Sequence, residues 1–199
     1  MPNDLADVNT VVYGAMSQDG NMGDQLSAKD WLDLGLRTLA KSGFTALKAE
    51  PLAKAMGVSR GSFYWHFADI RAFHAAILNH WRDVAAEQII ANVEAAAKDE
   101  NPLQLLLRRV FGEKLVLEKA VRAWAAVDPT ARAAVQAIDR RRLSYVESLL
   151  TQSGLSAEVA RDRAQILYWA FFGFALSDQN LPKARQQAVV CELMRMALK

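Results

Sequence analysis

Residues 49–67 read AEPLAKAMGVSRGSFYWHF, and this stretch limits the fold more than any other. Two short helix-forming runs flank Gly57, and neither is long enough to stand as a helix alone. Gly57 is the residue type that takes the left-handed conformation required by a sharp turn. Ala53 is small enough for two helices to cross closely, while Val58 and Phe63 are placed to anchor the second run on the first. The segment predicts a helix from about Ala49 to Met56 and another from about Arg60 to Trp65. Pro51 is tolerated because it falls in the first turn, where backbone N–H groups lack intrahelical partners anyway. Such a pair persists only if other helices cover it.

The remaining sequence supplies those helices. Leu, Ala, Arg, Glu and Lys recur at helical spacing, with few alternating β-branched runs, so the expected fold class is all-α. Ser27 is a good N-cap for a helix through Ser42, with Leu32, Leu36 and Leu39 on one face and Gly43 as the stop. Asp69 is expected to cap a long fourth helix reaching about Lys98, with Ile70, Phe73, Ile77, Trp81 and Val84 inward. Further helices are expected over 102–115, 117–127, 130–153, 156–177 and 182–198. Asn101-Pro102, Asp128-Pro129, Ser153-Gly154 and Leu181-Pro182 punctuate them.

Composition bounds the partners. The 199 residues are 52% hydrophobic and 23% charged, enough for a large apolar interior, and the net charge is only +2. That charge is unevenly spread. Residues 1–26 carry four acids and no Lys or Arg, whereas residues 27–80 carry seven basic groups and four acids. The first segment lacks an apolar stripe and is expected to be a disordered acidic tail, which argues against a basic arm in a DNA minor groove. A single cysteine, Cys191, excludes an intrachain disulfide and fits a reducing compartment. The longest apolar run, Ile166 to Leu176, has 11 residues where a membrane span needs roughly 20. With no cleavable apolar leader, a soluble cytoplasmic protein is predicted. The expected division is 1–26 as tail, 27–68 as the short-helix domain and 69–199 as a larger helical domain.

Two short helices about a glycine turn form a helix-turn-helix, whose second helix enters the major groove of DNA. Residues 59–66 suit that surface, being small, basic or aromatic with polar tips. Arg60 can reach guanine O6 and N7, and Gly61 lets the backbone approach the duplex. Ser62 can bond a base or a phosphate, while Tyr64 and His66 offer donors to phosphates. The competing reading is a purely structural three-helix unit with Val58, Phe63 and Phe67 as its core. It leaves unexplained an outer face of Ser, Arg, Gly, Tyr and His that is free of acids.

The stretch GVSRGSFYWHF, preceded by DWLDLGLRTLAKSGF, resembles the DNA-binding domain of tetracycline-repressor-like (TetR-family) transcription regulators. The resemblance covers about residues 28–80. It implies a homodimer, one operator half-site per subunit and a small-molecule pocket in a C-terminal helical domain. By position it implies DNA contacts from Lys48, Ser59, Arg60, Gly61, Ser62, Tyr64, Trp65 and His66. The sequence departs from the family at Lys48, where Thr or Ser is usual, and at Ile70, where Lys is usual. The acidic tail also replaces the short basic arm of many members.

Residues 119–154 resemble the effector domain of a subgroup with Arg-x-Trp-Ala and Asp-x-x-Arg arrangements. Asp139 and Arg142 stand three apart on a helix, where they either pair to fix helix packing or anchor a ligand. Abundant aromatics point to an apolar or aromatic effector, with Phe111, Trp124, Tyr145 and Tyr168 as the candidate ligand-binding residues. The run ILYWAFFGFAL is apolar all round, which predicts burial on two sides. With the last helix it would form a dimeric four-helix bundle, Ala170 and Gly173 permitting close approach.

His66, His74 and His80 are spaced by eight and six residues, so no pair sits on adjacent turns as a helical metal site requires. No phosphate-binding glycine motif or nucleophile elbow occurs. No cofactor, metal or catalytic residue is therefore expected. The expectation is a dimeric, ligand-responsive DNA-binding repressor acting on a pseudo-palindromic operator, with the fourth helix as the mechanical link. A helical adaptor without DNA binding is the alternative.

Overall fold

The computed structural model describes residues 26–97, 100–112, 115–177 and 181–199. The acidic segment 1–26 lies outside them, apart from Leu26. Among the described residues every regular element is helical: α1 (Ala28–Ser42), α2 (Ala49–Ala55), α3 (Arg60–His66), α4 (Ile70–Arg82), α5 (Gln88–Ala96), α6 (Pro102–Phe111), α7 (Val116–Val127), α8 (Pro129–Gln152), α9 (Ala157–Leu176) and α10 (Lys183–Leu198). They fall into two compact units, one ending at Trp81 and the other starting at Arg82.

Local chemistry sets most helix starts. Ser27 and Asp30 form a reciprocal capping box, with the Ser27 N–H donating to Asp30 Oδ2 at 2.8 Å. Asp69 accepts from the Ala72 N–H at 2.7 Å, as its place before α4 predicts. Asp128 and Asn101 cap α8 and α6, each followed by a proline whose missing N–H costs nothing there. Gly57 turns the chain at φ 70°, and the Val58 N–H closes the end of α2 on the Ala53 carbonyl at 3.1 Å.

In the first unit the core is built on Phe63. Its ring meets Trp31 edge-on at 5.4 Å and Phe73 at 5.2 Å, so α3 is pinned to both α1 and α4. Trp31, rather than Leu32, takes the central place on α1, and Leu32 is only half-buried. Gly35 lies under α4: a Cβ there would overlap Ile77 Cδ1 and come within 2.9 Å of Phe73 Cζ. The buried Asp33 is compensated by His80 Nε2, which donates to Oδ1 at 2.6 Å, and by Lys29 at 2.6 Å. An uncompensated carboxylate there would be costly.

The expected single helix from Asp69 to Lys98 differs from what is found. Its α-helical register stops at Arg82, and a five-residue π turn, Asp83–Glu87, precedes α5. Lys98 itself lies outside the described residues. A π turn leaves a helical periodicity almost unchanged in the sequence, and the groups that hold this one come from α8. Arg142 Nη2 donates to the Ala85 carbonyl at 3.1 Å, and the Arg141 guanidinium grips both oxygens of Glu87 at 3.1 Å. The remaining helices agree with expectation to within a residue or so at most ends. The expected 102–115 helix ends at Phe111, with 113–114 outside the described residues.

The tight α1–α4 crossing yields a stability prediction. Gly35→Ala should lower the unfolding free energy by about 1–3 kcal/mol, the usual cost of overpacking, as read by urea denaturation.

Candidate nucleic-acid interface and effector site

The seven-residue α3 has one buried side chain, Phe63. Fixing Phe63 inward sends Arg60, Gly61, Tyr64 and Trp65 outward, all of them exposed; Trp65 is 85% exposed. Arg60 Nη2 donates to the Tyr64 hydroxyl at 3.0 Å, and its guanidinium lies 5.5 Å from the centre of that ring. This bond to Tyr64 raises the Arg60 pKa above its ordinary value. The contact braces two flexible side chains one turn apart.

Ser59 precedes α3 in extended geometry, and its side chain makes no capping bond. Lys48 holds the same place before α2, also without a capping bond, and is exposed. Ser62 and His66 are half-buried. Gly61 has no internal reason to be glycine: a Cβ there would meet only Ser59 Oγ, at an ordinary 3.5 Å. The eight residues singled out in the sequence thus fall on α3 and on the segments leading into α2 and α3. No acid lies between Ser59 and Phe67.

In the second unit charged groups converge where α7, α8 and α9 meet. Arg122 on α7 grips Asp139 on α8 with both terminal nitrogens, at 3.2 and 2.6 Å. Its Nε donates to Glu118 Oε1 at 2.8 Å. Arg142 on α8 grips Glu118 from the other side at 3.1 and 3.0 Å. The Tyr168 hydroxyl on α9 donates to Asp139 Oδ1 at 2.7 Å. Phe172 lies beneath Arg122, its ring centre 4.1 Å from the guanidinium carbon.

Burial opposes both arginine charges and is outweighed: Asp139 and Glu118 hold the Arg122 pKa above its usual range, and Glu118 and Tyr168 do the same for Arg142. Burial likewise pushes the Tyr168 phenol up. Asp139 and Arg142, three apart on one helix, each find a partner on α7. Glu118 was missed by sequence reasoning; its place four residues before Arg122 was the available signal.

The aromatic candidates divide. Tyr168 belongs to the charged cluster. Phe111 and Tyr145 sit in the apolar core of the unit, Phe111 with its ring 5.3 Å from Phe174. The Tyr145 hydroxyl is buried with no hydrogen-bond partner among the described residues. Trp124 is fully buried on α7. A groove of about 190 Å³ lies elsewhere, on α10 between Arg185, Ala188, Val189, Glu192 and Leu193. Cys191 is exposed on the same helix. No described helix is long and apolar enough to cross a membrane.

Residues 32–77 match the family described as bacterial regulatory proteins, tetR family. The fold resembles a transcriptional regulator from Rhodococcus sp. Rha1, with TM-score 0.72 and 19% identity, covering 87% of this chain and 96% of that one. It also resembles a TetR-family transcriptional regulator from Mesorhizobium loti, with TM-score 0.69 and 18% identity over 86% and 94% of the two chains. A third likeness is to the multidrug binding protein EbrR complexed with malachite green, with TM-score 0.57 and 18% identity over 83% and 96%. At these identities the likeness is one of fold. No match is found among the curated proteins.

The charge cluster makes a stability prediction of its own. Glu118→Ala, which removes the buried carboxylate that Arg122 and Arg142 share and leaves Arg122 only its Asp139 pair, should cost about 3–5 kcal/mol in urea unfolding. Glu118→Met combined with Arg142→Met should cost less than Glu118→Ala alone, because no charge is then left without its partner.

Proposed function

We propose that the chain is a member of the tetR family of bacterial regulatory proteins, whose model residues 32–77 match, and that it is a homodimeric repressor of transcription, released from its operator by a small apolar or aromatic effector. The observation that carries this reading is the outer face of α3. It is free of acids, it presents Arg60, Tyr64 and Trp65 to solvent, and it includes a glycine that nothing inside the protein requires. A backbone that must approach a duplex closely accounts for Gly61, and a guanidinium beside it can take guanine bidentately. Lys48, Ser59, Ser62, Tyr64 and His66 act on phosphates and set the register.

Dimerisation is supported by α9. Val159, Asp162, Ile166, Trp169, Gly173 and Leu176 are all exposed and recur at alternating intervals of three and four, the spacing of a helix seam. Trp169 is 64% exposed, and Met196 on α10 is 57% exposed. A Cβ at Gly173 would meet nothing within 4 Å. As at Gly61, the reason for a glycine lies outside the protomer, and close approach of a second copy supplies it. Effector binding in the second unit is supported by its buried polar groups, including the orphan Tyr145 hydroxyl, which a ligand atom would satisfy. Binding of a dye by EbrR, which has the same fold, agrees with this.

Selection of random duplex DNA by the full chain tests the reading. An inverted repeat should be enriched, with half-site centres about 34 Å apart. Arg60→Ala should abolish the enrichment. Gly61→Ala should weaken DNA binding while raising fold stability by roughly 0.5–1 kcal/mol, the usual gain in a helix. Trp169→Glu should yield monomers in sedimentation and lose the repeat. A folded wild-type dimer that enriches no sequence would favour the adaptor alternative.

A further inference from the structure

The four charges joined by Glu118, Arg122, Asp139 and Arg142 exceed what packing needs, since a buried ion pair is seldom more stabilising than apolar groups of the same volume. We propose that the Arg122–Asp139 pair is an exchangeable receptor, and that the effector is a small aromatic carboxylate that takes the place of Asp139 on Arg122. This deepens the ligand-responsive reading above and rests on it.

Four features point to exchange at this pair. Arg122 presents two parallel donors to Asp139, a fork that any carboxylate fits. The Asp139 side chain is 23% exposed and can be rehydrated when it leaves, whereas that of Glu118 is only 4% exposed and is held by both arginines. The cation is fixed independently of Asp139, by Glu118 at Nε and by the Phe172 ring, so it stays in place during the swap. Finally, the Tyr168 hydroxyl that now donates to Asp139 Oδ1 can donate to the incoming oxygen.

The aromatic part follows from the surroundings. Tyr168 and Phe172 meet edge to face at 4.6 Å beside the pair, an apolar wall suited to a ring. Other ligand classes fit less well. An amine would have to sit beside two guanidinium groups, or displace one that two carboxylates hold. A neutral amide would find the Arg122 donors already taken by carboxylates and would have to accept a weaker bond in exchange. Carboxylate for carboxylate keeps a bidentate ion pair on Arg122, and the cost is the rehydration of the partly exposed Asp139.

Calorimetric titration of the full chain with benzoate, benzamide and benzylamine tests the exchange. Benzoate should bind and the other two should not. Asp139→Ala removes the competitor and should bind benzoate roughly tenfold to hundredfold tighter than the wild type, the gain expected for satisfying a stranded cation. Asp139→Asn keeps the volume and should show the same direction if the alanine variant does not fold. Arg122→Lys, which loses the fork, should abolish binding. Equal binding of benzoate and benzamide, or unchanged affinity in a folded Asp139 variant, would overturn the proposal.

The regulator reading is scored separately, by duplex selection without ligand. An enriched repeat with no benzoate exchange overturns the ligand class alone. Exchange without any enriched repeat supports the receptor and overturns the regulator.

Discussion

The Phe63 contact with Trp31 and Phe73 is the interaction on which the first unit depends. A helix of seven residues does not form by its own hydrogen bonds, because the nucleation cost exceeds what two turns return. Here α3 exists because one aromatic side chain is buried between α1 and α4. That single anchor also fixes rotation about the α3 axis. With Phe63 inside, the residues at 60, 61, 64 and 65 face out, and the spacing that buries one side chain selects which others meet a partner.

The second unit solves a different problem with different chemistry. Its longest helices, α8 and α9, run to 24 and 20 residues and need no such pin, yet the unit buries charge among aromatic rings where apolar side chains would have served stability as well. Charged groups in that setting are directional, each guanidinium being held in one orientation by two or more acceptors. The same Arg142 that holds Glu118 also holds the Ala85 carbonyl of the π turn. Glu118 and the π turn are therefore joined through one side chain. A ligand can shift such a link only as far as its affinities for the two arrangements differ.

Much of this was legible in the sequence because it rests on local rules. Gly57 and Gly43 stop their helices, Ser27, Asp69 and Asp128 start theirs, and Pro51, Pro102 and Pro129 sit where an N–H is dispensable. The illegible parts are those decided at a distance. Trp31 and Leu32 are neighbours separated by a 100° step, and only the position of Phe63 chooses between them. Asp33 looks like a surface acid until His80, 47 residues on, is placed against it. The π turn has no signature in the pattern of apolar residues, and its bonds come from Arg141 and Arg142. In the second unit, Asp139 and Arg142 stand out in the sequence, but their partners emerge only from the crossing of α7 and α8. That crossing is what brings Glu118 between two arginines.

If α3 and the residues leading into it meet DNA, some reading bases and others only the backbone, the two kinds of contact separate by sequence and by salt. Affinity for the selected duplex and for a scrambled one, measured across a salt series for wild type and Lys48→Ala, tests this most directly. Lys48→Ala should weaken both duplexes alike and lower the slope of log affinity against log salt by about one, the loss of a single phosphate contact. The wild type should keep its preference for the selected duplex throughout the series. A salt-independent affinity, or equal affinity for the two duplexes, would mean that α3 does not read DNA.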